Sequence, residues 1–501
     1  MAKLLLDGTG LTVEALATAA RGTGGVALAE SGLAKMRETR ALIDHAIANR
    51  VPVYGVTTGL GARSTEALDA DTLAGFSLQT IRGRAHAVGD PMPRDTVRAL
   101  MLARLNTLLT GYSGARPEVA DYLAKVIDAN LVPVAGGLGS IGGGDLVLNA
   151  TVALALIGEG RMTGPDGQEG PAADMLRAAG IEPLQLAPRD GLALANHTGF
   201  SAGLGALALD GALTGFAAAQ AAACLTMEGF RANLTPLDPR ALAAKPLPGQ
   251  TIAAQDLRTL LEGSALWQPG TARRLQDPLS LRNTVQIHGG TAAALANARP
   301  VVETELNGAS DNPIAIAETG EVISCGGYHS TELGLALESV SRAWQHLAMG
   351  QVARIARMMD PDFTALPLFL ARPDSGSNAF APVLKLAEDL AAEITQAAMP
   401  QPVWPSINAN GVEDSLTSAP VAARTLTRIN DLGRRLTAIE LMVGAQAADL
   451  RDITADLGPP MARLYRAIRA ASPRIDTDRP LTNDVESLAK LIEQGTLTAP
   501  A

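Results

Sequence analysis

Between residues 139 and 146 the chain reads Gly139-Ser140-Ile141-Gly142-Gly143-Gly144-Asp145-Leu146. Its three consecutive glycines offer backbone amides and carbonyls but no Cβ. Taken alone, such a run is a glycine-rich turn before a helix. Side chains able to do chemistry lie elsewhere. Tyr54 stands in a second glycine-rich loop, Val51-Pro-Val-Tyr-Gly-Val-Thr-Thr-Gly-Leu-Gly61. A phenol titrates at about 10 in water, so a tyrosine acts as a base near neutrality only with help from its neighbours. Arg282 carries a planar fork that can hold a carboxylate through two parallel hydrogen bonds. Asn196 can add hydrogen bonds on the same side, and Glu413 can accept from a ring N–H. Each residue also has an ordinary reading: a structural loop tyrosine, a surface arginine, a solvated glutamate.

Other chemistries are disfavoured. The six histidines show no metal-ligand spacing, and no phosphate-cradling loop is present. Cys224 and Cys325 form no CxxC pair, so neither a disulfide framework nor a thiolate metal site is indicated. With 41 basic against 51 acidic residues the net charge is −10, and no basic cluster marks a nucleic acid site. The opening MAKLLLDGTGLTVEAL has too short an apolar run for a signal peptide or membrane span, so the expected compartment is the cytoplasm.

The elements that must position these residues are helices. Hydrophobic residues make up 47 % and aromatics only 3 %, with much alanine and leucine, which favours close-packed helices over sheet. Helical periodicity covers 10–50 and 70–130, with breaks near Gly89–Pro93 and Gly111–Pro117. It returns over about 197–230, 277–298, 328–359, 377–399 and 415–450. Asp145 is placed to cap the helix that follows the glycine run. Residues 162–190, rich in Gly, Pro and Asp, read as short strands or turns. The expected fold is mainly α, with a long central helical bundle at 201–501 and a loop-rich N-terminal domain at 1–200 that carries the catalytic loops. That boundary is soft.

Several separated segments, in order, resemble the histidine and aromatic amino acid ammonia-lyases. Tyr54-Gly-Val-Thr-Thr-Gly-Leu-Gly61 is similar to the family's Tyr-Gly-x-Asn/Thr-Thr-Gly-Phe-Gly loop. Gly111-Tyr-Ser-Gly114 and Pro246-Leu-Pro-Gly-Gln250 match structural turns. Leu192–Thr198 resembles Leu-x-Asn-Gly-Thr, with His197 in place of glycine. Gln276-Asp-Pro-Leu-Ser-Leu-Arg282 resembles Gln-Asp-x-Tyr-Ser-x-Arg, and Gln286 fits the following glutamine. Glu305-Leu-Asn307, Ser310-Asp-Asn-Pro313 and Asn410-Gly-Val-Glu-Asp414 complete the set. The resemblance implies an ammonia-lyase-like fold, Tyr54 as catalytic base, and Asn196, Arg282, Glu413, His86 and Tyr328 as substrate-binding residues. It also implies a homotetramer whose sites are each built from three subunits. Tyr54, Arg282 and Glu413 are therefore expected to lie far apart within one chain.

The departures from the family are as informative. In the ammonia-lyases an Ala-Ser-Gly follows Gly-Ser-Val-Gly and cyclises, with loss of water from serine, to the methylidene-imidazolone electrophile MIO. Here Gly142, Gly143 and Gly144 stand in its place and the loop is one residue shorter. Glycine has no Cβ from which the methylene could form, so no MIO and no other cofactor or metal is expected. Leu279 replaces the family's second catalytic tyrosine. In the family MIO activates a poor leaving group, the α-amino nitrogen. A quaternary trimethylammonium departs as neutral trimethylamine and needs less help. The expected reaction is thus MIO-independent β-elimination of trimethylamine from a histidine-derived betaine, ergothioneine giving thiourocanate, with Glu413 meeting the thioimidazole ring. Two alternatives stay open: an ammonia-lyase or aminomutase whose modified residue is written as glycine, and a non-catalytic member that binds a histidine-like ligand.

Overall fold

The computed structural model describes residues 3–401 and 407–498. Helices carry the architecture, and the described strands are two to four residues long in sheets of two or three. The fold is mainly helical, as the sequence leads one to expect. Five long helices dominate: α1 (Gly199–Phe230), α2 (Thr284–Asn307), α3 (Thr331–Met358), α4 (Ala381–Ala397) and α5 (Ala419–Leu450). Four coincide closely with the helical patterns read from the sequence, whereas α2 starts and ends later than the expected 277–298, after the separate short helix Leu279–Arg282. Residues 161–190 form a hairpin, Arg161–Thr163 with Glu169–Pro171, followed by two short helices. The apolar stretch Asp190–Phe230 has the length and composition to cross a membrane, yet 72 % of its most apolar window is buried inside the protein. A helix apolar on every side belongs in a core.

By contacts the chain divides into two compact units. The first comprises Met1–Asp210, Arg299–Leu337 and Gln401–Arg424; the second comprises Gly211–Ala298, Glu338–Pro400 and Thr425–Ala501. The glycine loop, Tyr54, Asn196, Tyr328 and Glu413 all belong to the first unit, whereas Arg282 belongs to the second.

Asp311 is the electrostatic centre of the first unit. It is fully buried and accepts both Arg104 Nη1 and Nη2 at 2.9 Å, Arg189 Nη2 at 3.1 Å and Ser113 Oγ at 2.9 Å. Arg189 in turn donates to the carbonyls of Ser113 and Pro313. One carboxylate thereby ties helix Arg94–Leu108 to three loops. Burial alone would push the Asp311 carboxyl up, but Arg104 and Arg189 outweigh it and hold it below the usual range. In the second unit Arg354 and Glu440 form a buried two-point pair at 2.6 and 3.0 Å, and Thr226 Oγ1 donates to the same carboxylate at 3.2 Å. That pair links α1, α3 and α5.

The Asp311 network yields a stability prediction. Asp311→Asn leaves two buried guanidinium groups without a countercharge, which typically costs about 3–5 kcal/mol. Because the native carboxyl is held below its unfolded value, this contribution is complete above about pH 4 and fades only as pH falls further. Thermal melts of the variant at neutral pH should show a clear drop in midpoint; an unchanged melt would contradict the role assigned to Asp311.

Candidate functional site

The glycine loop is pinned from both sides. Gly142 N–H donates to Ser140 Oγ at 3.0 Å, and its carbonyl accepts from Thr417 Oγ1 at 3.2 Å. Gly144 N–H donates to the Tyr328 carbonyl at 3.1 Å, while its own carbonyl accepts from His197 N–H at 3.0 Å and Asn149 Nδ2 at 3.1 Å. These bonds hold Gly142 and Gly144 at φ +78° each, in the left-handed region that favours glycine. A Cβ at Gly142 would collide with Thr417 Oγ1, and one at Gly144 with Asn196 Oδ1. At Gly143 a Cβ would meet no atom within 4 Å. The middle of the loop therefore faces open space while its flanks do not.

The expected carboxylate cap at Asp145 is corrected by the structure. Asp145 occupies the N-cap position of helix Leu146–Leu156, but at φ +44° its side chain turns away from the helix amides. It accepts instead from Ser140 Oγ, Ser201 N–H and Ser201 Oγ, anchoring the loop to the start of α1. Burial pushes this carboxyl up, opposed by those hydrogen bonds and by Arg424.

Gly143 lines a cavity of about 490 Å³ together with Tyr54, Asn196, Tyr328 and Glu413. Tyr54 is positioned by its loop: Thr57 Oγ1 accepts from Val53 N–H and donates to the Val51 carbonyl. Gly61 N–H donates to the Tyr54 hydroxyl oxygen at 3.1 Å, a dipole aimed where negative charge would develop on a phenolate. Burial, with Tyr54 and Glu413 nearby, pushes the Tyr328 phenol up, so that ring is held neutral. Asn196 is set by helix Asp190–Ala195, whose last turn it closes.

Tyr54 and Glu413 thus meet within one chain, contrary to the separation expected from the resemblance. The reason is local packing. The turn at Asn408–Gly411 lies against the turn at Gly61–Arg63, with Gly61 facing the Ala409 methyl, and this brings Glu413 over the Tyr54 loop. Arg282 does not line this cavity. It ends the short helix Leu279–Arg282, and Leu279, Ser280, Asn283 and Gln286 instead line a groove in the second unit with His346 and Met349. His86 is exposed, with Nε2 against the Gly83 carbonyl, and also lies outside the cavity lining. His197 is buried and structural: Nδ1 accepts from Gly199 N–H, which leaves Nε2–H to donate to the Leu194 carbonyl. Burial, then Arg104, holds it well below the ordinary histidine range.

Arg84, Asn312, His329 and Ser415 also line the cavity and escaped the sequence reading. His329 is held between Ser415 Oγ at 3.1 Å and Thr331 Oγ1 at 2.9 Å. Arg84 stands two residues before His86, the residue that the motif brought forward. Among the described residues no cluster of histidine, cysteine or carboxylates could hold a metal ion. The arrangement offers a phenol, an amide, a carboxylate and a guanidinium around an open niche. It lacks the side-chain carbon from which the family's backbone electrophile would be made.

Comparison with known proteins gives one family. The model of that family, aromatic amino acid lyase, matches residues 11–470. A histidine ammonia-lyase of Anaeromyxobacter sp. (strain K) is 35 % identical, covering 99 % of this chain and all of the relative. Among solved structures, ergothionase from Treponema denticola, in complex with desmethyl-ergothioneine sulfonic acid, has a TM-score of 0.93 at 27 % identity and covers 99 % of both chains. Histidine ammonia-lyase from Trypanosoma cruzi has a TM-score of 0.91 at 28 % identity, over 99 % of this chain and 94 % of that one.

The loop geometry predicts unequal tolerance among the three glycines. Gly143→Ser enters open space and should melt close to the parent protein. Gly142→Ala must both adopt a positive φ and displace Thr417, so its thermal midpoint should fall measurably, with a strain of about 1–3 kcal/mol. Equal melts for the two variants would contradict the geometry.

Proposed function

The chain belongs to the aromatic amino acid lyase family, and on that premise we propose that it is a carbon–nitrogen lyase releasing trimethylamine from ergothioneine to leave thiourocanate. The observation that carries the reading is Gly143: it has no Cβ, and nothing lies within 4 Å of where one would stand. MIO does not fit here. Its methylene needs a serine Cβ, and an alanine at position 142 would be strained and would collide with Thr417. The vacant niche is instead the right kind of place for three N-methyl groups. A trimethylammonium has no N–H to donate, so it favours aromatic faces and unpaired carboxylates, and Tyr328 lines the same cavity. The structural likeness to ergothionase supports the same reading.

In the proposed reaction Tyr54, acting as phenolate, takes a proton from the substrate Cβ. The electron pair of that C–H bond forms the Cα–Cβ double bond, and the Cα–N bond breaks with its pair on nitrogen. Neutral trimethylamine leaves and the proton stays on Tyr54. Gly61 N–H steadies the phenolate oxygen beforehand. Asn196 holds the substrate carboxylate, and Glu413 accepts a ring N–H. Arg282 joins the carboxylate clamp from a neighbouring subunit of a homotetramer, since it lies outside the cavity of its own chain. His86 has no part in this scheme. A second reading, ammonia release from histidine, is favoured by the names of the sequence relatives.

The test is to supply ergothioneine and follow thiourocanate with its molar equivalent of trimethylamine. Tyr54→Phe should lower kcat by about 10²–10⁴-fold with little change in substrate binding, because it removes the base and keeps the ring. Arg282→Met should damage kcat and KM together. Glu413→Gln should hurt substrates with an imidazole or thioimidazole ring more than others. A wild-type enzyme that forms no thiourocanate overturns the proposal.

A further inference from the structure

Arg84 is a cation that the elimination does not require. Its side chain lines the cavity with Tyr54 and Glu413 and is partly withdrawn from water, which holds its pKa below the ordinary arginine range. Among the described residues its guanidinium makes no ion pair, and its one hydrogen bond is long, Nη1 to the Thr80 carbonyl at 3.4 Å. Five N–H donors on a half-buried charge with so little to bind are costly unless a ligand supplies the acceptor.

The cavity has two unlike sides. Around the glycine loop stand Gly143, Asn196 and Tyr328, with Asn196 and Tyr328 both against Gly144. On the other side the packed turns at 61–63 and 408–411 carry Glu413, and Arg84 feels the charges of Glu413 and Tyr54. Arg84 also borders a second cavity with Leu60 and Arg63, which places it on the wall away from the glycine loop. The substrate's ring lies on this side if its ammonium lies beside Gly143. A 2-thioimidazole presents a donor and an acceptor on adjacent ring positions, an N–H and the exocyclic sulfur. A carboxylate beside a guanidinium is the matching pair.

We infer that Arg84 determines specificity by donating to the exocyclic sulfur of the substrate ring while Glu413 accepts from the adjacent ring N–H. This rests on the trimethylamine-lyase reading for the identity of the substrate, not for the chemistry of elimination. The sulfur-bearing ring is thereby distinguished from a plain imidazole, which has a donor there and no neighbouring acceptor.

The test is calorimetric binding of ergothioneine and of hercynine, its sulfur-free counterpart, to a Tyr54→Phe background that does not consume them. With Arg84 intact, ergothioneine should bind about 10–10²-fold more tightly than hercynine, the range expected for a hydrogen bond to a charged group. Adding Arg84→Met should bring the two ligands to similar affinity while hercynine changes by less than about threefold, and Arg84→Lys should restore part of the preference. Equal weakening of both ligands by Arg84→Met would place the guanidinium on the shared carboxylate and overturn the inference. So would a lack of preference, or of binding, with Arg84 intact. If the Arg84-dependent preference is found but the wild-type enzyme releases no trimethylamine, the inference stands and the proposed elimination fails.

Discussion

The positive backbone angles at Gly142 and Gly144 are held by Ser140 of the loop itself and by partners from three other segments: Thr417, Tyr328 and His197. Asn149 gathers the same region by donating to the carbonyls of Gly144, Ala195 and His197. The loop is therefore a node through which the Tyr328 turn, the Asn196 turn and the segment leading into α5 are aligned. Glycine is needed at its flanks because a side chain there would meet Thr417 or Asn196 rather than solvent. At the centre the requirement is different in kind: Gly143 has room for a side chain and does not use it.

Behind the loop, buried charge does the positioning. Asp311 unites Arg104, Arg189 and Ser113, and the residue after it, Asn312, lines the cavity. Asp145 joins the glycine loop to α1 through Ser140 and Ser201. Both carboxylates are satisfied by several donors, as burial demands. Within the cavity the balance is deliberately incomplete: Glu413 and Arg84 are close enough to influence each other without forming an ion pair. Two charges left apart in a half-buried space present separate handles for a polar ring.

Much of this was legible in the chain. The helices followed from apolar spacing, and the loop residues Tyr54, Asn196 and Glu413, identified from motifs, share one cavity with Tyr328 and Gly143. Three things were not legible. Asp145 has the right residue type and position for a cap, but its backbone is left-handed and its carboxylate bonds Ser140 and Ser201 instead. The meeting of Tyr54 and Glu413 depends on two short turns, at 61–63 and 408–411, packing together across most of the chain, which no local pattern encodes. Arg84 was overshadowed by His86 because a motif marks a residue type, whereas cavity lining depends on how the chain is placed in three dimensions. In each case the missing information was tertiary.

The central claim, that a lyase scaffold works without an electrophile because its leaving group needs none, concerns the atom that departs. Histidine and ergothioneine should be given to the same purified enzyme in parallel, with ammonia and trimethylamine both quantified. The account predicts trimethylamine from ergothioneine and no ammonia from histidine above the rate without enzyme. Ammonia released from histidine at a comparable rate, with ergothioneine left intact, would contradict it.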